Sequence, residues 1–330
     1  MLSTFCTHSI NILAGINGVE VGQALIIAAS LCLNDALYLP LRTVLELSHS
    51  PRIEMVPVPP PLTSPSSEAS SWLSWMSMTG PAASTVLPPP PTPSFSPVQS
   101  ELVSRHLFSL SLMLPLVGAC AGLLSWNRHP SLVFVGDTFC YFAGQALACA
   151  GVLGHFSKTL LLFFIPQVFN FLLSCPQLFG FVPCPRHRVP KVHPETMALY
   201  PSLAIFPAER PAGILGSAML RILELPGFVI LYRDPETKRI LATTNLTILN
   251  TILVMSGVHT LEDDVMRFVR VQAFVGASAP VTTLSSLPHP KGPIITEACL
   301  WRRMMGVQLC GSAVAFAVRY WAAAIVFPDQ

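Results

Sequence analysis

Five stretches of this chain are long and apolar enough to be read as membrane crossings, and their succession constrains the fold more than any motif does. A crossing helix needs about 20 predominantly apolar residues. Residues 23–41, 107–126, 157–182 and 304–327 meet that length, and 132–153 comes close with Asp137 near its start. Composition agrees: 52% of the 330 residues are hydrophobic and 11% are charged, against roughly a quarter charged in an ordinary soluble domain. Pro166 predicts a kink within 157–182, which packed membrane helices accommodate. Residues 1–10, MLSTFCTHSI, read as the last third of a further crossing. They are too short to span and lack the charged start of a signal peptide, so the chain is expected to begin inside a membrane protein. The expected fold class is an all-α polytopic membrane protein, with about five transmembrane helices plus a partial one and a small cytosolic α/β lobe.

The connections are of two kinds. Residues 49–100 hold 13 of the 32 prolines, Pro88 to Pro91 in a row, and many serines. Such a segment favours extended conformations over a packed core, and a disordered insertion is expected. Residues 183–303 are more polar. Within them GFVILYRDPETKRILATT reads as a hairpin turning at Asp234 to Thr237, and NLTILNTILVMSG as the helix that follows. Residues 278–296 return to loop composition. The expected organisation is therefore 1–48 (partial helix, loop and first full crossing), 49–100 (insertion), 101–182 (crossings), 183–303 (lobe) and 304–330 (last crossing and tail).

If the crossings alternate in direction, the segments INILAGING (10–18), NRHPSLVFVGD (127–137) and CPRHRVP (184–190) fall on one side. That side also receives 14 of the 19 Lys and Arg residues, and the positive-inside rule makes it cytosolic. The insertion, Lys158 and the C-terminus fall on the lumenal side. The same parity keeps the Asn245 sequon cytosolic and hence unglycosylated. A net charge of +2 and the absence of a basic run argue against a nucleic-acid partner. Nine cysteines without CxxC pairs or Cys/His clusters read as reduced packing residues.

Three polar motifs thus converge on one face. Asp137 is an acid at a membrane boundary, where ionisable groups mark function or cap a helix. Asn11 adds a neutral amide oxygen. One carboxylate, one amide oxygen, waters and substrate phosphates suit Mg²⁺, which takes few protein ligands. Gly15 and Gly18 either allow close backbone approach to a ligand or simply make a turn. Arg186, His187 and Arg188 offer forks that match phosphate oxygens, or a basic cluster against anionic lipid. Together these groups point to phosphoryl transfer at a membrane face.

INILAGING, FVGDTFCYFAG, LGHFSKTLLLFFIPQVFNFLLS, CPRHRVP and QLCGSAVAFAVRY, in this order, resemble the eukaryotic branch of the polyprenyl-phosphate N-acetylhexosamine-1-phosphate transferases. The resemblance covers residues 1–41 and 101–191 closely, and 243–257 and 304–327 more loosely. It implies transfer of GlcNAc-1-phosphate from UDP-GlcNAc to dolichyl phosphate in the endoplasmic reticulum membrane, with Mg²⁺ as cofactor, membrane lipid around the protein and a homodimer as an expected assembly. It further implies Asn11 and Asp137 as catalytic metal ligands. Asn17, Gly15, Phe134, Arg186, His187 and Arg188 become UDP-GlcNAc contacts. The segment Thr4, Phe5, Cys6, Thr7, His8, Ser9, Ile10, Asn11 and Ile12 lies beside the lipid phosphate.

The sequence also departs from that pattern. His8 stands where asparagine is expected and Leu132 where arginine is. Family members carry an upstream Asp-Asp pair followed by lysine, and nothing here matches it. Asp263-Asp264 comes too late in the chain and reads as an exposed acidic face. The 330 residues alone are therefore expected not to turn over. The alternative reading is a non-catalytic membrane remnant that binds a partner.

Overall fold

The computed structural model describes residues 1–39, 97–207, 211–261, 263–267, 269 and 290–322. The Pro-rich segment up to residue 96, most of the 278–296 loop and the end of the last expected crossing lie outside the described residues. The chain divides into two compact units, Met1–Ala36 with Arg105–Gln330, and Leu37–Ser104. Within the second, only short helical ends are described.

Helix α1 is Leu2–Ile12 and α2 is Val19–Tyr38. Then come α3, Pro97–Asn127, and α4, Gly136–Leu153. The expected kink is present: α5, Ser157–Phe163, and α6, Ile165–Leu178, meet at a bend of 67° with Pro166 in the first turn of α6. A proline there loses no helical hydrogen bond, so the break costs little. Among the described residues two helices, α2 and α3, are long and apolar enough to cross a membrane, and the bent pair makes a third. The protein is helix-rich with candidate spans, as a membrane protein should be.

The helices depart from the expected bounds: α2 starts at Val19 rather than 23 and α3 at Pro97 rather than 107. The run 132–153 becomes helical only at Gly136. The last helix, α9, is Glu297–Phe316 and starts seven residues before the expected 304. Glu297, Arg302 and Arg303 occupy its first two turns, so its apolar part begins at Met304. A π-helical turn, Ala317–Ala322, follows, and its Arg319 donates to Thr159 of α5.

Small residues let the helices approach closely. A Cβ on Gly144 of α4 would fall 2.5 Å from the Thr7 Cα of α1, and one on Gly311 of α9 would fall 2.8 Å from Pro166. Without a hydrophobic drive between helices in lipid, such close packing and buried hydrogen bonds hold a bundle together. Three buried glutamines supply the bonds. Gln167 of α6 donates to Gln23 of α2 (2.8 Å) and to Gln308 of α9 (2.7 Å). Gln23 in turn donates to the Ile10 carbonyl of α1 (2.9 Å), and Gln308 to that of Phe163. A second buried polar contact joins Asp35 Oδ1 to His106 Nδ1 at 2.8 Å, fixing the approach of α2 to α3 across 71 residues of sequence.

Among the described residues between α6 and α9 the chain forms short strands and helices, a helical stretch at 263–267 included. Strands β1 (Lys191–Val192) and β2 (Leu199–Tyr200) pair antiparallel. Strand β3 (Leu203–Ile205) precedes α7 (Ile214–Glu224). The expected hairpin is β4 (Leu231–Arg233) and β5 (Ile240–Thr244), and the three strands run antiparallel in the order β3-β5-β4. Its turn is held by Thr237 donating to Asp234 Oδ2 (2.5 Å), with Lys238 at φ +56°. Helix α8, Ile248–Met255, follows as expected, N-capped by Thr247; β6 (His259–Thr260) and β7 (Pro290–Lys291) form a third antiparallel pair. This region does not bury a core of its own alone. Leu13, Ile16 and Val19 pack with Leu199, Ile248, Leu249 and Met304, while Leu173 of α6 packs with Leu220, Leu231 and Leu246.

Asn245 is 1% exposed; its oxygen accepts from Gln177 Nε2 (2.8 Å) and its amide donates to Ser202 (2.9 Å). Burial is a second reason, independent of sidedness, for the sequon to stay bare. Treating the chain expressed in eukaryotic cells with a glycosidase is expected to leave its mass unchanged. A shift lost in Asn245→Gln would contradict both reasons.

Candidate active site

The site is built on the short loop from Leu13 to Gly18, because three distant elements close on it. A Cβ on Gly15 would come within 2.5 Å of Val189 Cγ1, so glycine is what lets this loop lie against the segment that carries Arg186 to Arg188. Gly18 adopts φ +82°, and Trp301 Nε1 of α9 donates to its carbonyl at 2.9 Å. One turn earlier on α9, Glu297 Oε1 accepts the Asn17 backbone N–H at 2.6 Å, while its Oε2 lies 3.2 Å from His129 Nδ1. Glu297 and Trp301 are four residues apart and share a helix face. They bind the loop before α2 to the start of α9, and His129 ties in the loop before α4.

That last loop is stabilised by Asn127, whose amide donates to the Val133 carbonyl at 2.7 Å. It leaves Phe134 87% exposed. Gly136, at φ +63°, turns the chain into α4. Asp137 then sits in the first turn of α4 and is exposed, where the helix dipole favours a carboxylate. Glu20 in the first turn of α2 lies within electrostatic reach of both Asp137 and Glu297. Three carboxylates at three helix N-termini thus border the Asn17 loop.

Arg188 occupies the opposite wall. Its carbonyl accepts from Asn250 Nδ2 (2.7 Å) and from Ser202 Oγ (2.9 Å), which fixes its backbone. Arg188 also lines a cavity of about 140 Å³ together with Ile12, Leu13, Ala14, Asn170 and Thr247. Its Nη1 is buried and makes no hydrogen bond. Leaving a buried charged donor unmatched costs about 1–3 kcal/mol or more, a cost that an anion brought within its reach would relieve. Small-molecule pockets run to about 300–1,000 Å³, so this cavity suits one end of a ligand rather than all of a nucleotide sugar. Arg186 and His187 are exposed.

The nine residues from Thr4 to Ile12 do not share one environment. Cys6 and Ile10 are fully buried, and Phe5 packs edge-on to Phe164. Thr7 bonds back to the Ser3 and Thr4 carbonyls, and His8 meets the Tyr141 ring. The open stripe is Thr4, His8 and Ile12, with Asn11 and Ser9 half-buried beside it. Asp263 is exposed and Asp264 half-buried, away from every contact described for the site.

For Mg²⁺ the donor set has the right chemistry: hard oxygens on Asp137 and Asn11, with Glu20 near the former. Among the described residues no three His, Cys, Asp or Glu side chains form a ready cage. Mg²⁺ does not require one, since it is commonly held by one or two carboxylates plus substrate phosphates.

Sequence reasoning missed Glu297, Trp301, Asn250, Ser202 and Asn170. The available signals were a lone acid opening the last helix with tryptophan four residues on, and a lone asparagine within the apolar run of α8.

Residues 1–155, which contain the Asn11–Gly18 loop and Asp137, match the family model described as glycosyl transferase family 4. Through this segment the chain is similar to that family. More particularly, it is similar to proteins named UDP-N-acetylglucosamine–dolichyl-phosphate N-acetylglucosaminephosphotransferase. The Schizosaccharomyces pombe protein is 40% identical over 257 residues, covering 78% of this chain and 45% of that one. The Saccharomyces cerevisiae protein is 38% identical over 256 residues, 78% of this chain and 44% of that one. The Dictyostelium discoideum protein is 46% identical over 196 residues, 59% and 37% respectively. The chain spans less than half the length of these relatives.

Proposed function

We propose that this chain carries the UDP-GlcNAc side of a GlcNAc-1-phosphate transferase that acts on dolichyl phosphate. An oxygen of dolichyl phosphate attacks the β-phosphorus of UDP-GlcNAc, the bond to the UMP oxygen breaks, and GlcNAc-diphosphodolichol and UMP result. The observation that carries the reading is Arg188, whose buried Nη1 has no hydrogen-bond partner and which lines a cavity together with the Ile12–Ala14 segment. The names of the relatives supply the substrates.

In this reading Arg188 holds a phosphate of the diphosphate, and Arg186 and His187 close over it from the exposed side. Phe134 offers its face to the uracil. Asn17, fixed through its N–H by Glu297, presents its amide to the same ring. Asp137 and Asn11 would hold Mg²⁺, which neutralises charge on the transferring phosphoryl group when bound. Phosphoryl transfer needs chiefly positioning and charge stabilisation, and the clamped loop supplies the positioning. The stripe of Thr4, His8 and Ile12 faces the lipid phosphate. The reaction face is cytosolic and the membrane is that of the endoplasmic reticulum.

Binding of UDP-GlcNAc to the purified chain in detergent, measured by calorimetry with Mg²⁺, tests the reading. Arg188→Ala is expected to weaken binding by about tenfold or more, since hydrogen bonds to charged groups contribute about 1.5–3 kcal/mol. Arg188→Lys should recover only part of the affinity, lacking the planar fork. Equal affinity in all three proteins, or none in the parent chain, would overturn the proposal.

A further inference from the structure

Helix α7 has an apolar face against which none of the described residues packs. Its inner arc, Gly216 and Leu220, is buried; Leu220 packs with Leu173 of α6, Val182 and Leu246. The opposite arc holds Ile214, Leu215, Ala218 and Ile222, with Leu225 one residue past the end, all exposed. Ile214 is 94%, Ile222 65% and Leu225 86% exposed. At 100° per residue these five side chains fall on one contiguous face. A helix that is apolar on both faces requires a second apolar medium, because isolated exposed residues are common but a continuous stripe is not.

The position of α7 identifies that medium. A Cβ on Gly216 would meet the Phe181 carbonyl oxygen at 2.4 Å, so α7 is seated on the chain three residues beyond the end of α6. Leu220 and Leu173 of α6 share one buried cluster, which sets α7 beside that helix of the bent crossing. On that crossing Phe171, Leu172 and Leu178 are exposed, as are Phe179 and Phe181 just after it. The α7 stripe therefore continues the outward apolar surface of a membrane-crossing element. Arg221, exposed at the edge of the stripe, is the cation that such a helix extends to headgroups. Glu224, on the polar side, is paired to Arg233.

We infer that α7 is an interfacial helix, lying in the headgroup layer with Ile214, Leu215, Ile222 and Leu225 among the upper acyl chains. It would fix the depth of the three-stranded sheet and of the Arg188 segment relative to the lipid. The inference stands apart from the proposed reaction.

The test is photocrosslinking of the whole 330-residue chain in phosphatidylcholine vesicles containing a radiolabelled phospholipid. Benzoylphenylalanine is placed in turn at Ile222, at Leu225 and, as control, at Glu236 in the exposed β4–β5 turn. Labelled lipid is expected on the first two variants at about fivefold or more over the third, as for a helix buried to the acyl boundary. Using two sites guards against one misfolded variant, and native mobility in detergent verifies each. A crosslink to a second copy of the chain, or lipid labelling no greater than at Glu236, would overturn the inference.

Discussion

Exchanging Asp137 for alanine is expected to abolish Mg²⁺-dependent UMP release in any preparation of this protein that transfers GlcNAc-1-phosphate to dolichyl phosphate. Asp137 is exposed in the first turn of α4, so removing it leaves no cavity and no orphaned partner. Surface changes of that kind usually move stability by no more than about 0.5 kcal/mol. The thermal midpoint should stay put while turnover falls. Removing one stabilising group from a reacting centre costs about 10²–10³ in rate, and loss of a metal ligand adds to it. Asp137→Asn separates the roles: it keeps the shape and an oxygen but loses the charge, and should remain well below the parent. Turnover near normal in either variant would remove Asp137 from the mechanism.

Gly144→Leu is expected to have the largest effect on the fold. A Cβ there would lie 2.5 Å from Thr7 Cα, 2.6 Å from Thr7 N and 2.8 Å from the Cys6 carbonyl carbon. All three are backbone atoms, so no side chain can move aside; α1 must leave α4. Overpacking usually costs about 1–3 kcal/mol, and this case should reach or exceed the upper end. It would also displace Asn11, which α1 carries. A fall in the thermal midpoint of the detergent-purified chain, with loss of UDP-GlcNAc binding, is the expected result. A Gly144→Leu chain as stable as the parent would show that α1 does not seat on α4 as described.

The sequence made some features legible because they are local. Pro166 marked the bend between α5 and α6, and Asp234 to Thr237 marked the turn of the hairpin. Asn11, Asp137 and Arg188 could be named because amides, acids and guanidiniums are conspicuous in so apolar a chain. Other features depend on partners far away. The start of α9 was misjudged since hydropathy registers only the apolar part, whereas Glu297 opens the helix to hold the Asn17 N–H. Each glutamine of the Gln23–Gln167–Gln308 set is unremarkable in its own helix, and only their meeting gives them a role. Likewise nothing local says that Cys6 and Ile10 turn inward while Thr4 and His8 do not; the seat of α1 on Gly144 decides it.

The clamp of Glu297 and Trp301 on Asn17 and Gly18 has a consequence for the order of assembly. The two hydrogen bonds join residues 280 and 283 positions apart. During synthesis the Asn17 loop is made 280 residues ahead of Glu297 and waits, without its acceptor and donor, until α9 leaves the ribosome. At about 5–20 residues per second that interval is on the order of tens of seconds. Throughout it the Asn17 loop lacks both of these bonds, so the clamped arrangement forms only once α9 has docked.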